Sequence, residues 1–138
     1  MRSFFDTNVL VYMFDMDAPE KKARAQSLLK EETAAGRAVL STQVLQEFYV
    51  TVTRKLSVPL PSETAEEAVR NLAALPVVEV NADLILRAIK RARRASLSFW
   101  DALIVEAALS SGAGVLFTED LQHGQGIEKL QIKNPFML

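Results

Sequence analysis

The sequence predicts an α/β fold with a parallel sheet. Short apolar runs alternate along the chain with longer amphipathic stretches, the pattern of strands joined by helices. Turn signals separate these stretches, among them Gly36 and the Pro59 and Pro61 pair. The length of 138 residues suits one domain with its own core, and no repeat or linker divides it. We therefore expect a single domain over residues 1–138.

The first half of the chain predicts two strands and three helices. The predicted ranges are, in order, a strand at 2–5, a helix at 19–35, a strand at 38–40, a helix through Glu47 and a helix at 62–74. Residues 49–53 are rich in β-branched side chains and would also suit a strand. We assign this segment to a helix because four apolar side chains fall on one stripe at helical spacing. They are Val44, Leu45, Phe48 and Val52.

The second half predicts three strands and two helices. The predicted ranges are a strand at 77–80, a helix up to residue 95, a helix from Ser98 to Gly112, a strand at 115–117 and a last edge strand at 130–132. Side chains suited to N-terminal helix capping precede four of the helices along the chain. They are Ser41 with Thr42, Ser62, Asn81 and Ser98. The helix after Asn81 has one predicted apolar face, formed by Leu84, Ile85, Ala88, Ile89 and Ala92.

Composition excludes several classes of function. The chain has no cysteine, which removes disulfides, thiolate metal sites and cysteine nucleophiles, and its single histidine disfavours a histidine-rich metal centre. No apolar run approaches the roughly 18 residues that a membrane span needs. The first residues lead directly into Phe4 without the layout of a signal peptide. We expect a cytoplasmic protein without membrane contact. The net charge of −1 argues neither for nor against a polyanionic binding partner.

Acidic residues stand in apolar surroundings at four places far apart in the sequence: Asp6, Glu47, Asp101 and the Glu119–Asp120 pair. Desolvating such carboxylates costs several kcal/mol each unless a cation meets them. Ligands of α/β sheets bind beyond the carboxyl ends of the strands. Asp6 and Asp120 follow predicted strands, and Glu47 and Asp101 lie in helices that begin at that same edge. The pattern predicts a site for a hard divalent cation.

Each acid also has a structural interpretation. Asp6 suits an Asx-type cap, Glu47 a solvated helix flank, and Glu119 or Asp120 a helix N-terminus. Asp101 would complete a capping box with Ser98. We favour a site role for Asp101 because its helical face is apolar. That face includes Ile104, Val105 and Ala108, whereas we expect Glu106 on the solvent side.

Together the motifs resemble those of the PIN-domain nucleases and, more narrowly, the VapC-type toxins of bacterial toxin–antitoxin pairs. The resemblance runs over essentially the whole chain, with four motifs in the family's order: residues 5–10, 41–48, 99–104 and 118–121. It implies a three-layer α/β/α sandwich around a mainly parallel sheet of four to five strands. In the fourth motif the family has Thr, any residue, then Asp, which matches Asp120 and leaves Glu119 as an additional acid.

The resemblance further implies hydrolysis of RNA phosphodiesters with one or two Mg²⁺ ions, or Mn²⁺ as a substitute. It assigns Asp6, Asp101, Asp120 and Glu47 to metal binding and catalysis. The residues expected to support these carboxylates are Thr7, Asn8, Thr118 and Glu119. It also implies a homodimer and a small antitoxin that occupies the active-site groove.

Basic residues in the helix before Ser98 form a candidate RNA contact. They are Arg87, Lys90, Arg91, Arg93 and Arg94, which we expect on one side, opposite the apolar face. A solvated flank near a helix C-terminus explains them equally well. We expect His123 to be a loop or capping residue.

Two other functions stay open at this point. One is a PIN-like binding module without catalysis, which the presence of all four acids disfavours. The other is a phosphotransfer domain of the receiver or haloacid-dehalogenase type. The phosphatase motif needs a second aspartate where this chain has Asn8, and Asp6–Thr7 is not the acid pair of a receiver.

Overall fold

The protein is built around one twisted sheet, seen in a computed structural model that describes residues 1–137. The described strands are β1 (Arg2–Phe5), β2 (Ala38–Ser41), β3 (Val77–Val78), β4 (Ala113–Phe117), β5 (Gly126–Ile127) and β6 (Leu130–Lys133). The described helices are α1 (Thr7–Tyr12), α2 (Pro19–Ala34), α3 (Thr42–Arg54), α4 (Ser62–Ala73), α5 (Ala82–Ala95) and α6 (Phe99–Ser110). None of these helices is both long and apolar enough to cross a membrane.

The strand order is β3-β2-β1-β4-β6-β5, and every pair except β5–β6 is parallel. Helices flank the sheet, which confirms the predicted α/β sandwich. The described sheet has six strands, more than the four to five expected. The additional strand, β5, has two residues and covers the outer side of β6, so β6 is not the edge strand that the sequence predicts.

The helix starts follow local capping chemistry. Ser41, Asn81 and Ser98 each accept a hydrogen bond from a backbone N–H in the first turn of α3, α5 and α6, as predicted. The prediction for Ser62 is wrong, because Pro61 occupies the capping position and Ser62 is the first helical residue. Segment 42–54 is helical. Its buried side chains include Val44, Phe48 and Val52, because the helix packs that stripe onto the sheet.

The inner face of α5 differs from the predicted one. Leu84 and Ala88 are buried as expected, but Ile85 and Ile89 remain 37% and 41% exposed. The prediction that Arg91 and Glu106 face solvent is wrong, since both are buried between α5 and α6. The Arg91 guanidinium donates to the Glu106 carboxylate at 2.9 Å and also pairs with Glu128. Neighbouring helices thus supply each other's countercharge.

The central strands place two polar residues side by side. Phe5 of β1 pairs with Phe117 of β4, and the chain continues into Asp6 and Thr118 at the carboxyl edge. The Asp6 N–H donates to the Phe117 carbonyl at 3.0 Å. A short helix, α1, begins directly after Asp6. The carboxyl edge of the sheet therefore carries the first and last of the candidate acids.

Candidate active site

A pocket of about 760 Å³ lies at the carboxyl edge of the sheet. It brings together four carboxylates from the start of α1, from α3, from α6 and from the loop after β4: Asp6, Glu47, Asp101 and Asp120. Thr7 and Asn8 also line it, whereas Thr118 and Glu119 do not. The size lies within the roughly 300–1,000 Å³ range of ligand pockets. Residues separated by more than a hundred positions in sequence therefore face one space.

Both carboxylate oxygens of Asp6 are held in place. Oδ1 accepts from the Thr7 N–H at 2.7 Å, and Oδ2 accepts from the Thr118 hydroxyl at 2.8 Å. Asp6 is 5% exposed. Burial raises the pKa of Asp6 to about 7, against the opposing effect of these hydrogen bonds and with further repulsion from Asp120 and Glu47. Asp6 caps α1, as its structural interpretation predicts, and it also lines the pocket, so the cap does not preclude a role in a site.

Thr7 connects the first acid to the second. Its N–H donates to Asp6, and its hydroxyl donates to Glu47 Oε1 at 2.7 Å. The other oxygen of Glu47 accepts from the side-chain amide of Gln43, one turn earlier in α3, at 3.3 Å. Glu47 is thereby directed into the pocket and does not extend from the helix flank.

The fourth acid follows a turn organised by Thr118. The Thr118 hydroxyl donates to Asp6 and accepts from the Asp120 N–H at 3.0 Å. Burial and then repulsion from Asp101 raise the pKa of Asp120. Asp101 stands in the first turn of α6, where its N–H donates to Ser98 Oγ at 3.1 Å. Within residues 1–137 its carboxylate makes no return bond to the Ser98 N–H, so the capping box is only half formed.

Glu119 is directed away from the pocket. Lys21 Nζ donates to Glu119 Oε2 at 2.5 Å, and the Tyr12 hydroxyl donates to Oε1 at 2.7 Å. Burial acts to raise the pKa of Glu119, but these two donors outweigh it and hold that pKa below its usual range. The ammonium of Lys21 also lies over the Tyr12 ring, 4.7 Å from its centroid. Glu119 therefore has its own cation, unlike the four pocket acids.

The donor set of the pocket suits a hard cation, because Mg²⁺ and Mn²⁺ prefer carboxylate oxygens. In the part of the chain that the structure describes, no three Asp, Glu, His or Cys side chains converge as a ready-made metal-binding group. The carboxylates would have to turn toward a common point to share an ion. Burial and, to a smaller extent, repulsion between the carboxylates raise the pKa values of Asp6 and Asp120, and a bound cation would offset both costs.

The predicted basic cluster lies outside the pocket. Arg91 is 7% exposed and is neutralised by two glutamates, which removes it as a free phosphate contact. Arg87 pairs with Asp83 one turn earlier. Lys90, Arg93 and Arg94 are exposed, so an RNA contact there stays a prediction. His123 has the loop role expected of it: its Nδ1 accepts from the Asn134 N–H at 3.0 Å.

Several pocket residues have no role in the sequence-based prediction, among them Gln43, Lys55 and Trp100. Gln43 lies one helical turn before Glu47, and Trp100 directly precedes Asp101. Their spacing from the predicted acids could therefore have indicated that both residues lie in the pocket. Lys55 follows α3 by one residue, and nothing in its local sequence indicates that it reaches the pocket.

Comparisons with known proteins agree with this fold. The PIN domain family model matches residues 3–125. A toxin–antitoxin complex from Klebsiella pneumoniae contains a chain of the same fold, with 18% identity, coverage of 99% of both chains and a TM-score of 0.73. VapC20 of Mycobacterium tuberculosis, described as a sarcin-ricin-loop-cleaving toxin, has 19% identity, coverage of 86% of this chain and 89% of that one, and a TM-score of 0.68.

A third similar structure is VapBC2 from Rickettsia felis bound to a promoter DNA fragment. Its identity is 18%, its coverage 96% of this chain and 98% of that one, and its TM-score 0.62. No curated protein sequence matches this chain significantly.

Proposed function

The chain belongs to the PIN domain family, and from this membership we propose that it is a metal-dependent endoribonuclease. The observation that supports the proposal most directly is the convergence of four carboxylates, from four separate segments, on one pocket. Family membership removes the phosphotransfer alternative. The alternative of a binding module without catalysis is disfavoured by the presence of all four acids in the pocket.

The charge of the pocket explains why a nucleic acid would need divalent ions there. Its lining contains five carboxylates, the four candidate acids and Asp15, and a single cationic side chain, Lys55. RNA phosphates would be repelled by such a surface. We propose that Asp6, Asp101, Asp120 and Glu47 hold one or two Mg²⁺ or Mn²⁺ ions. When bound, such ions polarise the scissile phosphate and lower the pKa of the attacking water.

The protein's own residues would prepare this chemistry. Thr7 and Thr118 fix the two oxygens of Asp6, so its carboxylate is oriented before substrate arrives. Thr7 and Gln43 do the same for Glu47, which we propose orients the attacking water. Asn8 also lines the pocket, where its side chain opposes the rise in the pKa of Asp120, and we propose that it holds that carboxylate.

We also propose that the protein is the toxin of a toxin–antitoxin pair. The solved structures that it resembles over most of their length include toxin–antitoxin complexes. The corresponding partners here would be an RNA substrate, a small antitoxin and a second copy of the chain, in the cytoplasm. Co-purification of the toxin with the product of a neighbouring small gene tests this role, and an active protein without such a partner would contradict it.

The nuclease proposal is tested with purified Asp6→Asn and Asp101→Asn proteins. We expect RNA cleavage to be lost in both while the circular dichroism spectrum is retained. The matched control is Asp83→Asn, an exposed acid of α5 that is outside the pocket. Undiminished cleavage by either site variant would refute the assignment.

The substrate and the metal need separate measurements. Sequencing RNA ends after brief expression, compared with the Asp6→Asn protein, identifies the cleaved RNA. Calorimetric titration with Mg²⁺ and Mn²⁺ distinguishes a metal-dependent nuclease from a binding module without catalysis. Absence of ion binding by the wild-type protein would favour the binding module without catalysis.

A further inference from the structure

Gln43, which lines the pocket, has an unused hydrogen-bond acceptor. It is 4% exposed, and its Nε2 donates both to Glu47 Oε2 and to the backbone carbonyl of Trp100, each at 3.3 Å. Both partners are acceptors, so the orientation of the amide is determined and the remaining atom must be oxygen. That oxygen, Oε1, is buried and has no partner in the described chain. Leaving it unpaired is costly, and a ligand in the pocket that Gln43 lines is placed to supply the missing donor.

Trp100 supplies a second, independent feature at the same place. It is the only tryptophan of the protein, and it lines the pocket while 61% exposed. Its ring is supported edge-on by Phe99, with centroids 5.1 Å apart. A large aromatic ring left open to solvent beside a carboxylate cluster is suited to stacking on a planar group.

From these two features we infer that Trp100 and Gln43 form a nucleotide subsite beside the carboxylates. An unpaired RNA nucleotide next to the scissile phosphate stacks its base on Trp100 and donates a hydrogen bond to Gln43 Oε1. The donor is the ribose 2′-hydroxyl or a base N–H. The inference rests on the proposed nuclease function and adds to it the two residues that hold the nucleotide beside the scissile phosphate. Exposed tryptophans also serve protein interfaces, but the position of Trp100 in the same pocket as the carboxylates and Gln43 favours a nucleotide.

The tryptophan itself reports on stacking. A single-stranded RNA dodecamer is titrated into the protein with Ca²⁺ in place of Mg²⁺, and a gel verifies that the RNA stays intact. We expect quenching of tryptophan fluorescence by the single strand and much less by the same sequence as a duplex. Labelled RNA then measures affinity by anisotropy in the variants. Trp100→Leu should bind about 5- to 100-fold more weakly, and Trp100→Phe should lose less.

Matched variants test each contact. Leu86→Ala, on the outer side of α5, removes an equally exposed apolar side chain outside the pocket and should bind as wild type. Gln43→Met should weaken RNA binding about fivefold, whereas Gln131→Met on β6 should not. If the donor is the 2′-hydroxyl, Gln43→Met also removes the preference for RNA over DNA of the same sequence. If the donor is a base N–H, Gln43→Met should weaken the binding of RNA and of DNA by the same factor.

Unchanged RNA affinity in Trp100→Leu, with no quenching in the wild type, would overturn the subsite and assign Trp100 to a protein-facing surface. Failure of the two proposals is distinguishable. Cleavage that persists without stacking refutes the subsite alone, and stacking without metal-dependent cleavage refutes the nuclease alone.

Discussion

At the scale of single residues, Asp6 shows how the fold keeps a carboxylate in a costly position. It is nearly buried, it lies close to like charges, and only hydrogen bonds from Thr7 and Thr118 favour its charged form. The local structure therefore holds the side chain in one orientation without neutralising it. A carboxylate with these properties is suited to binding a cation, and it destabilises the metal-free protein.

This cost predicts a pH dependence of stability in the metal-free protein. The pKa of Asp6 is about 7 in the folded state and close to its ordinary value of 3.8 in the unfolded state. Between these values the folded state retains a proton that the unfolded state has lost, so Asp6 lowers the free energy of unfolding as pH rises. The full effect is at most about 4 kcal/mol. Asp6→Asn lacks it.

Urea denaturation in EDTA from pH 4 to 8 measures the difference between Asp6→Asn and wild type. We expect the variant to gain stability relative to wild type across that window. Loss of an acceptor for Thr7 or Thr118 adds an offset that does not change with pH. A difference independent of pH would show that Asp6 titrates normally.

At the scale of secondary-structure elements, the α5–α6 pair is joined by charge as well as by apolar contact. Arg91 lies between Glu106 of α6 and Glu128 of the β5–β6 turn. Glu128 has a left-handed backbone conformation with φ of 53°, unusual for a residue with a side chain. The ion pairs thus link the edge of the sheet to the helix that carries Asp101.

Removing one member of this buried pair should be expensive. We expect Arg91→Met to lower the free energy of unfolding by about 3–5 kcal/mol, because Glu106 is left buried and unpaired. The double variant Arg91→Met, Glu106→Leu should recover most of that loss. Urea denaturation measures both, with the exposed Arg94→Met as control. A loss below 1 kcal/mol in the single variant would indicate that water replaces the guanidinium.

The helix caps allow stability and activity to be separated. Ser98→Ala and Asn81→Ala each remove one capping acceptor, from α6 and α5 respectively. Both should lower the free energy of unfolding by about 1 kcal/mol. Only Ser98→Ala should also reduce RNA cleavage, because Asp101 lies in the turn that Ser98 caps. Equal cleavage by the two variants would show that the cap does not position Asp101.

At the scale of the whole molecule, the strand order brings the acids together. β1 and β4 are neighbours at the centre of the sheet although 107 residues separate the last residue of β1 from the first of β4, and this places Asp6 beside Thr118 and near Asp120. Glu47 reaches the pocket from α3, where its carboxylate accepts a hydrogen bond from Thr7, and Asp101 reaches it from α6. An ion in this pocket would therefore link distant parts of the chain.

Such a link predicts stabilisation by metal. A ligand at a hundred times its dissociation constant adds about 2.7 kcal/mol to the free energy of unfolding. We expect the melting temperature of the wild-type protein to rise with Mn²⁺ or Mg²⁺ and to be unaffected by the ions in the Asp6→Asn, Asp101→Asn double variant. Calorimetric scans test this. An equal rise in both proteins would place the ion elsewhere.

The sequence predicts local elements well where the chemistry is local. Caps at Ser41, Asn81 and Ser98 and the helical stripe through Val44 need only neighbouring residues, and they are confirmed. The short helix α1 and the strand β5 were missed, because six- and two-residue elements carry too little periodicity. The solvent-facing assignment of Arg91 failed since its countercharge is on another element.

By itself the sequence determined the fold class, the order of the main elements and the identity of the four acids, because hydrophobic spacing, capping side chains and carboxylates in apolar surroundings are visible within short windows. Only the tertiary structure decided that Glu119 pairs with Lys21, that Arg91 is buried, and that Gln43 and Trp100 meet beside the acids. Those outcomes depend on contacts between residues distant in the chain. Such contacts decide which charges of a site are neutralised and which of its polar atoms have no hydrogen-bond partner, and neither can be read from a short stretch of sequence.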